Sequence, residues 1–411
     1  MGKPSENWLG FAGMSPGSDK YQRIKLIISS ADFNYLKLRA IESRREHDPN
    51  SPQQLDCGVN LIHFTSGFDN LVLELAFSDG ICWVARIPHR PLEDAHKTSM
   101  LSEIATMRLI SNHTTIPIPR IFGFNVSTGQ SFGYPYIFME YLDGQSLPSG
   151  IATSIPSEFH PKVAKQLANV FGQLQNLTFS RIGRIICGEE ADQRPEIIPM
   201  TWHATPGPLE TSFEYFYNQR QAENREALQM HPGDPDWRTA CWVLKSALLR
   251  SIVEDRVRGP FPLCHLDLHY GNMLFDTEYN LVGLIDWSSA QAAPLEQLSV
   301  CPELIPFPGR TEEENKPILE LRRLVIESIK EIEAQQVLKA PLDNPDIDLG
   351  NMKDQTRVST YMASASAEIT HRQYMASPRA ILWVGKRVAK LMYGDAITWE
   401  QLREVYGTMD L

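Results

Sequence analysis

The sequence predicts an α+β protein of two lobes, a small lobe rich in β-strands with one helix and a large, mostly helical lobe. Strand-like alternation of apolar and polar residues dominates 59–87, and a helical pattern follows at 94–112. Helical patterns then prevail from about 160 to 255 and again after 303. We expect an N-terminal lobe over 1–140, which includes an N-terminal extension, and a C-terminal lobe over 141–411.

The strands of the small lobe follow from period-two alternation. Leu71, Leu73, Leu75 and Phe77 would share one face of a strand, and Asp79-Gly80 is a hairpin-turn signal. The next strand would place the following residues on one face: Ile81, Trp83, Ala85 and Ile87.

Helices and a connecting strand complete this lobe. A helix is expected around 32–46 in the N-terminal extension. In the helix over 94–112, Leu101, Ile104, Ala105 and Met107 have near-helical spacing. A short buried strand over 135–144 would then lead into the large lobe.

In the large lobe, two short apolar segments, "NMLFD" and "LVGLIDW", are predicted to be strands. They follow the polar stretch "HLDLHYGN" over 265–272, which holds two histidines, an aspartate and an asparagine. This polar stretch is the first candidate for chemistry.

Composition narrows the possible partners. Asp and Glu number 50 against 39 Lys and Arg, so the formal charge is −11, which disfavours nucleic acids and anionic membranes as partners. The six scattered cysteines are typical of reduced thiols and not of a disulfide framework. With no apolar run of membrane-spanning length and no secretory signal, a cytoplasmic location is expected, and an organellar address within 1–55 stays open.

Within the polar stretch, His265, Asp267 and Asn272 match H-x-D-L-x-x-x-N, the catalytic-loop spacing of kinases. Phosphoryl transfer asks a protein mainly to position the reactants and to neutralise charge. An aspartate can orient the attacking hydroxyl and accept its proton, and an asparagine five residues later can reach a magnesium ion. Asp286, which ends the strand "LVGLIDW", supplies the second hard oxygen ligand that Mg²⁺ prefers.

The small lobe offers groups for the phosphates. The polar turn 65–70, "TSGFDN", contains a glycine between two strands, so its backbone N–H groups could approach a triphosphate. Arg86 stands where kinases carry their phosphate-binding lysine, and Glu103 lies on the next helix, where the partner of that cation is expected.

Each of these features also has a structural interpretation. The segment 65–70 could be a plain β-turn, Arg86 and Glu103 a surface ion pair, and Asp286 a cap. His265 and His269 are expected to be structural. Only the order of all the features along the chain favours a kinase-like protein.

A zinc hydrolase is the rival interpretation. His265, Asp267 and His269 alternate and would point to one face of a strand, as zinc ligands could. This interpretation leaves Asn272, Asp286 and the whole small lobe unexplained, and the sequence has no H-E-x-x-H motif.

The segments "WVARIP", "SEIATMRLI", "YPYIFMEYLDG", "CHLDLHYGNMLFD" and "LVGLIDW" resemble the aminoglycoside phosphotransferase/choline kinase family, the phosphotransferase enzyme family, especially its fungal branch. The resemblance implies a two-lobed protein-kinase-like fold that transfers the γ-phosphate of ATP, with Mg²⁺, to a small-molecule hydroxyl. It makes Asp267 the catalytic base and Asn272 and Asp286 the metal ligands. The nucleotide would be held by a phosphate turn and a hinge, with these residues: Ser66, Gly67, Phe68 and Asn70 in the turn, and Met139, Glu140, Tyr141 and Leu142 in the hinge.

The acceptor is expected to be a small molecule. "APLE" begins at Ala293, only seven residues after Asp286, so the long activation segment of protein kinases is missing. The helices over 155–258 and the C-terminal helices would form the acceptor pocket, and the negative net charge hints at an amine-bearing acceptor. Aromatic residues of this stretch could line the pocket or belong to the core: Trp202, Phe213, Tyr215, Phe216 and Tyr217.

Arg86 is one departure from the family pattern. Arginine is a planar fork that does not exchange freely with lysine at a site built for one of them. Two functions therefore stay open: an active small-molecule kinase, and a catalytically weak or inactive kinase-like scaffold that binds a nucleotide.

Overall fold

A computed structural model describes residues 4–90, 94–187, 194–201, 203–307, 309–346 and 355–410. The chain forms two compact units. Unit 1 comprises 1–145, 274–277 and 282–288, and unit 2 comprises 146–273, 278–281 and 289–411.

Unit 1 is built on a six-stranded antiparallel sheet. Its strands run in the order β1-β3-β4-β6-β5, and β2 pairs with β3. Two helices precede the sheet and one lies between its fourth and fifth strands. The elements are α1 (Asp19–Ser30), α2 (Phe33–His47), β1 (Cys57–Val59), β2 (Thr65–Ser66), β3 (Asn70–Phe77), β4 (Cys82–Pro88), α3 (Asp94–His113), β5 (Ile121–Asn125), β6 (Tyr136–Glu140) and β7 (Gln145–Ser146).

The core of unit 1 joins the sheet to the two N-terminal helices. Ile24 and Ile27 of α1 and Leu36 and Ala40 of α2 are buried in the same cluster as Leu71 and the other inward residues of β3 and β4. Asp32 caps α2, which the sequence predicts, whereas α1 is an additional helix of the N-terminal extension. The extension therefore belongs to the core of this unit.

The alternation predicted for the strands is confirmed with one exception. The inward residues of β3 and β4 are buried, but Ile81 is 42% exposed because it lies in the turn before β4. On α3, Ile104, Ala105 and Met107 are buried as expected, and Leu101 is 40% exposed.

The N-terminal segment also contacts the sheet through polar groups. Glu74, on β3, is 2% exposed, and its Oε2 accepts a hydrogen bond from the backbone N–H of Ser5 at 2.8 Å. Gly10 donates its N–H to the carbonyl of Phe64 at 3.0 Å.

Unit 2 is mostly helical, with short strands between its helices. Its own sheets are the two-stranded β10-β9 and the three-stranded β14-β11-β8. Most of the third small sheet, β13-β12-β7, belongs to unit 1, because 274–277 and 282–288 are part of that unit. The elements are α4 (Ile151–Ser154), α5 (His160–Asn176), β8 (Thr178–Phe179), β9 (Arg184–Ile186), β10 (Glu196–Ile198), α6 (Ser212–Met230), α7 (Pro235–Ser251), β11 (Phe261–Cys264), β12 (Met273–Phe275), β13 (Leu281–Leu284), β14 (Gln291–Ala292), α8 (Leu295–Leu298), α9 (Glu312–Glu333), α10 (Val358–Met362), α11 (Ala365–Tyr374), α12 (Ile381–Tyr393) and α13 (Trp399–Tyr406).

A division of the chain at residue 140 alone is therefore incomplete. The backbone N–H of Leu284, at the end of β13, donates to the carbonyl of Pro117 at 2.7 Å, which ties this returning strand to unit 1. Asp286 consequently lies in unit 1, whereas Asp267 and Asn272 lie in unit 2.

Helices α7 and α12 pack closely in the core of unit 2. At Gly385 on α12, a Cβ would lie 2.7 Å from the Cβ of Ala240 and 2.9 Å from its Cα. Only glycine fits this approach without a shift of the backbone. Among the helices that the structure describes, none has the length and apolar character needed to cross a membrane.

The α+β prediction, with a β-rich part followed by a mostly helical part, is confirmed. The short strands β8 to β10 interrupt the stretch over about 160–255 that is predicted to be helical.

Candidate active site

Arg86 lies at the centre of a polar cluster in unit 1. Its Nη1 donates to Glu103 Oε1, and its Nη2 donates to Asp286 Oδ1 at 3.1 Å. With its amide oxygen turned toward Arg86, Asn70 accepts from Nε at 3.1 Å and from Nη2 at 2.9 Å. Four of the residues predicted for the site thus meet in one cluster.

The sheet explains why these residues meet. Arg86 is on β4 and Asn70 begins β3, and the strand register pairs Arg86 with Val72 and with Ile137 of β6. Alternation turns Arg86 away from the face that buries Ala85 and Ile87.

The electrostatics of this cluster are dominated by two carboxylates. Burial tends to lower the pKa of Arg86, but the charges of Glu103 and Asp286 outweigh it, so the pKa is raised and the guanidinium stays charged. The Glu103 side chain is 5% exposed and the Asp286 side chain 43% exposed. Glu103 is thus an internal partner of the cation, whereas Asp286 is partly exposed to solvent.

Asp286 has an uncommon backbone conformation. It follows β13 with φ of 62°, in the left-handed region that few residues other than glycine adopt. Its Oδ1 also accepts from the Ser288 hydroxyl at 2.8 Å, and the next residue, Trp287, is fully buried. The turn after β13 therefore fixes the direction of this carboxylate.

The turn at 66–69 links β2 to β3, where a phosphate turn is predicted. The Gly67 N–H donates to the Asn70 carbonyl at 3.0 Å, and a Cβ at Gly67 would meet no atom within 4 Å. Phe68 is 77% exposed, and the Arg90 guanidinium lies 4.1 Å from its ring centre.

Two positively charged side chains near this turn were not predicted from the sequence. Lys20 on α1 donates to the Ser66 carbonyl at 3.1 Å, and Arg90 pairs with Asp69 at 2.7 Å. Lys20 is separated from the turn by 46 residues, so spacing along the sequence carries no signal for this contact.

The predicted hinge 139–142 follows directly from β6. Met139 is buried, and both the N–H and the side chain of Glu140 bond to the backbone of Arg120. Leu142 packs against Gly283, where a Cβ would lie 2.4 Å from the Leu142 Cδ1. Tyr141 is partly buried, and this burial raises the pKa of its phenol.

The loop 265–272 follows β11 in unit 2. His265 is buried, and its Nδ1 accepts from the Asp267 N–H at 3.3 Å. Leu266 has φ of 61°, a strained conformation for a branched side chain, of the kind that concentrates at functional sites. The Asp267 side chain is 47% exposed.

Asn272 holds the Asp267 carboxylate. Its Nδ2 donates to the Asp267 carbonyl at 2.9 Å and to Oδ2 at 3.2 Å. Because the amide nitrogen is turned toward Asp267, the amide oxygen is turned away from it and could meet a cation. Asp267 and Asn272 are thus brought together as their spacing predicts.

Glu303 supports this loop and was not found from the sequence. Its buried carboxylate accepts from the Tyr270 N–H at 3.0 Å and from the Ile151 N–H at 2.7 Å. The two histidines act within the loop, as expected, since the His269 Nδ1 accepts from the Gly271 N–H at 3.0 Å.

The donor types fit magnesium better than zinc. In the part of the chain that the structure describes, no group of three or more His, Cys, Asp or Glu side chains could hold a metal ion. Mg²⁺ commonly takes one or two protein oxygens and completes its shell with phosphate and water. The Asn272 amide oxygen and the partly exposed Asp286 carboxylate are donors of this kind.

The aromatic residues proposed for the acceptor pocket have different surroundings. Tyr215 is buried, Phe216 and Tyr217 are partly buried, and Phe213 is 40% exposed. Trp202 lies outside the described residues. Tyr215 and Phe216 line a cavity in unit 2 together with Leu266 of the loop.

Comparisons with known proteins agree with this geometry. A family model, the phosphotransferase enzyme family, matches residues 61–297. A subtelomeric hrmA-associated cluster protein of Aspergillus fumigatus is 26% identical over 167 residues, which cover 41% of this chain and 32% of that protein. The clavilactone A biosynthesis cluster protein Y of Ampulloclitocybe clavipes is 27% identical over 244 residues, or 55% of this chain and 59% of that protein.

The chain thus spans about a third of the Aspergillus relative and 59% of the Ampulloclitocybe relative. Among solved structures, it is similar to the ethanolamine kinase of Plasmodium vivax, with a TM-score of 0.45 and 12% identity. That similarity covers 96% of this chain and 95% of the kinase chain.

The matched segment contains the Arg86 cluster, the hinge and the whole loop of Asp267, and it covers more than half of the 411 residues. The resemblance found in the sequence is therefore confirmed. The chain belongs to the phosphotransferase enzyme family.

Proposed function

We propose that the protein transfers the γ-phosphate of ATP, bound with Mg²⁺, to a hydroxyl group of a small molecule. The observation that carries this proposal is the contact of the Asn272 amide with Oδ2 of Asp267, in a loop that the buried Glu303 holds in place. A half-exposed, oriented carboxylate is the group that this reaction needs beside an attacking hydroxyl.

Each residue has a role that its surroundings support. Asp267 orients the acceptor hydroxyl and takes its proton as the oxygen attacks the γ-phosphorus. Asn272 keeps that carboxylate in place and, with Asp286, would hold Mg²⁺, which when bound neutralises phosphate charge. Arg86 fixes Asp286 and presents positive charge toward the phosphates.

The nucleotide contacts belong to the same proposal. The backbone of the turn at Ser66, Gly67, Phe68 and Asn70 would cover the phosphates. The adenine would lie against the hinge, where the Glu140 side chain is engaged by Arg120. Backbone groups near Tyr141 and Leu142 would then make the adenine contacts.

The alternative is a kinase-like scaffold with little or no turnover. It is favoured by one observation, that the Arg86 guanidinium is engaged by Glu103, Asp286 and Asn70. A cation shared among these groups has less hydrogen-bonding capacity left for phosphate than a lysine with one partner.

Asp267→Asn separates the two functions. ADP release from Mg-ATP would be measured with a pool of small hydroxyl compounds and with water alone as acceptor. We expect the variant to lose about a hundredfold or more of the rate, the usual contribution of a general base. The melting temperature of the protein and its affinity for ATP should stay close to those of the wild type.

Asp410→Asn, at a fully exposed carboxylate, is the control and should turn over normally. Equal rates in the wild type and in Asp267→Asn would remove Asp267 from catalysis. ATP binding without turnover in either protein would favour the scaffold.

A further inference from the structure

A cavity of about 270 Å³ lies within unit 2 beside the loop of Asp267. Leu266, the residue before Asp267, is part of its wall, and so is Tyr374 at the end of α11. Burial and then the negative charge of Asp267 raise the pKa of the Tyr374 phenol, which places this ring near the carboxylate. A molecule in this cavity would therefore lie close to the proposed base.

The charges on the wall cancel. Among the described residues that line the cavity, the charged side chains are Arg220 and Glu223, apart from His203. Arg220 Nη1 pairs with Glu223 Oε2 at 2.8 Å, and Gln219 Nε2 donates to Glu223 Oε1 at 2.9 Å. Both carboxylate oxygens are thus already engaged.

Two further observations disfavour a cationic ligand. Burial lowers the pKa of His203 and so disfavours a charged ring on this wall, although both ring nitrogens lie against backbone carbonyls. The ring of His203 stacks on Tyr215 at 4.6 Å, and Phe216 meets Tyr215 edge-on at 5.2 Å. One face of the Tyr215 ring is therefore covered and cannot take part in an aromatic cage for an ammonium group.

The wall instead offers hydrogen-bond donors to oxygen atoms. Gln373 Nε2 and Arg220 Nε are buried, and neither has an acceptor among the described residues. A buried donor without an acceptor costs free energy, and turning the Gln373 amide into the cavity that this residue lines would let a ligand oxygen recover that cost. Uncharged amide and hydroxyl groups make up much of the remaining polar wall: Gln219, Gln297, Ser251 and Thr370.

From this geometry we propose that the cavity binds the acceptor, and that the acceptor is an uncharged, oxygen-rich alcohol, not an amine. The inference rests on the proposed phosphotransferase function and deepens it. A cavity of about 270 Å³ is slightly smaller than the usual range for ligand pockets, about 300–1,000 Å³, so the part of the acceptor that it holds is small. Among the described residues of this wall, the carboxylate is Glu223, and its pairing with Arg220 leaves it unsuited to bind the amine-bearing acceptor suggested by the net charge of −11.

Matched pairs of compounds test the charge preference. Glycerol with 2-amino-1,3-propanediol, and glucose with glucosamine, differ by one amine each, and kanamycin and choline serve as strong cations. Binding would be measured by calorimetry on the full chain with Mg²⁺ and a non-hydrolysable ATP analogue. We expect the uncharged member of each pair to bind at least tenfold more tightly than its amine partner, and the two strong cations not to bind.

Gln373→Glu is the decisive variant, because it adds one negative charge to the wall without enlarging the side chain. It should shift the preference of each pair toward the amine by at least tenfold. Gln335→Glu, at an exposed residue after α9, carries the same charge change and should leave the preference unaltered.

Tighter binding of the amines by the wild type, failure of every uncharged member to bind, or an unchanged preference in Gln373→Glu would each overturn the inference. Phosphate transfer is a separate readout, measured on the same compounds with Mg-ATP in place of the analogue. Uncharged members that bind without receiving phosphate would count against the proposed function and leave the cavity assignment standing.

Discussion

Arg86 replaces the lysine that the kinase pattern predicts, and its guanidinium makes contacts that an ammonium group could not all keep. It joins Glu103, Asp286 and Asn70 through three different nitrogens. Arginine at this position thus positions Asp286 in addition to carrying charge.

We therefore expect Arg86→Lys to lower kcat/KM for Mg-ATP by about tenfold to a hundredfold, although the charge is unchanged. A lost hydrogen bond to a charged group costs about 1.5–3 kcal/mol, and 1.4 kcal/mol corresponds to a factor of ten. Steady-state kinetics at saturating acceptor would measure the loss.

Arg323→Lys is the matched control, since Arg323 pairs with Glu320 and Glu327 on the exposed side of α9. Its kinetics should equal those of the wild type. If Arg86→Lys were as active as this control, the guanidinium group of Arg86 would have no role in positioning Asp286.

Glu296 is a buried acid that the proposed mechanism does not use. Its side chain is fully buried on α8, its Oε1 accepts from the Val253 N–H at 2.7 Å, and burial raises its pKa to about 7 from an ordinary 4.5. Between pH 4.5 and about pH 7, Glu296 is therefore ionised in the unfolded chain and protonated in the folded chain. Stability from this group is therefore present below pH 4.5 and is lost as the pH rises through about 7.

Glu296→Gln should remove this loss, because glutamine mimics the protonated acid. At pH 8 the variant should be more stable than the wild type, with a gain of roughly 3 kcal/mol at most, and at pH 4.5 the two should be nearly equal. Urea unfolding at the two pH values would measure the difference. The exposed Glu331→Gln should keep the pH dependence of the wild type, and an identical dependence in Glu296→Gln would contradict the assignment.

At the scale of elements, the close contact of α7 with α12 depends on a glycine, Gly385, whose lack of a side chain lets the two helices approach. Gly385→Ala would gain about 1 kcal/mol of helix propensity but would press a methyl group onto the backbone of Ala240. Overpacking usually costs about 1–3 kcal/mol, so we expect a net loss of stability of about 1 kcal/mol. Thermal unfolding would measure it.

Gly172→Ala on α5 is the matched control for this packing argument. Its Cβ would lie 2.9 Å from Ile332 Cγ2, a side-chain methyl group and not a backbone atom. This variant should lose less stability than Gly385→Ala. Equal losses in both variants would show that backbone proximity does not decide the cost.

Regular patterns explain which elements were predictable. The alternation in β3 and β4 and the repeat in α3 each extend over seven residues or more, so periodicity identifies them. Strands such as β8, with two residues, are too short to show a period. Their existence depends on pairing with distant strands, as β8 pairs with β11.

The candidate site was predictable to the extent that it follows an ordered motif. The spacing of Asp267 and Asn272 indicated that both belong to the site, but nothing local connects Arg86 to Asp286, 200 residues later, except the analogy to kinases. Gln373 and Arg220, 153 residues apart, carry no motif, so their common cavity could be found only in three dimensions.

For the whole molecule, nucleotide binding should appear as stability. A ligand that binds only the folded state, at a hundred times its Kd, stabilises it by about 2.7 kcal/mol. We expect Mg-ATP to raise the melting temperature of the wild type by several degrees. Asp286→Ala should lose the magnesium-dependent part of this rise.

The comparison uses the shift and not the absolute melting temperature, since removal of Asp286 also takes a partner from Arg86. Asp395→Ala, at an exposed carboxylate, should keep the full shift. A rise of equal size in Asp286→Ala would place the metal elsewhere, and no rise in any protein would favour a function without ATP.

The hydrophobic core of unit 1 includes residues that precede the segment matched by the family model. Residues 61–297 carry the motifs. The sheet that holds Arg86 packs, however, against four earlier residues of α1 and α2: Ile24, Ile27, Leu36 and Ala40. A chain trimmed to the family segment would open that core and would leave Glu74 without the backbone partner that Ser5 provides. Laboratory trimming or domain exchange in this protein should therefore keep the first helices with the sheet, because the family motif and the folding unit have different limits.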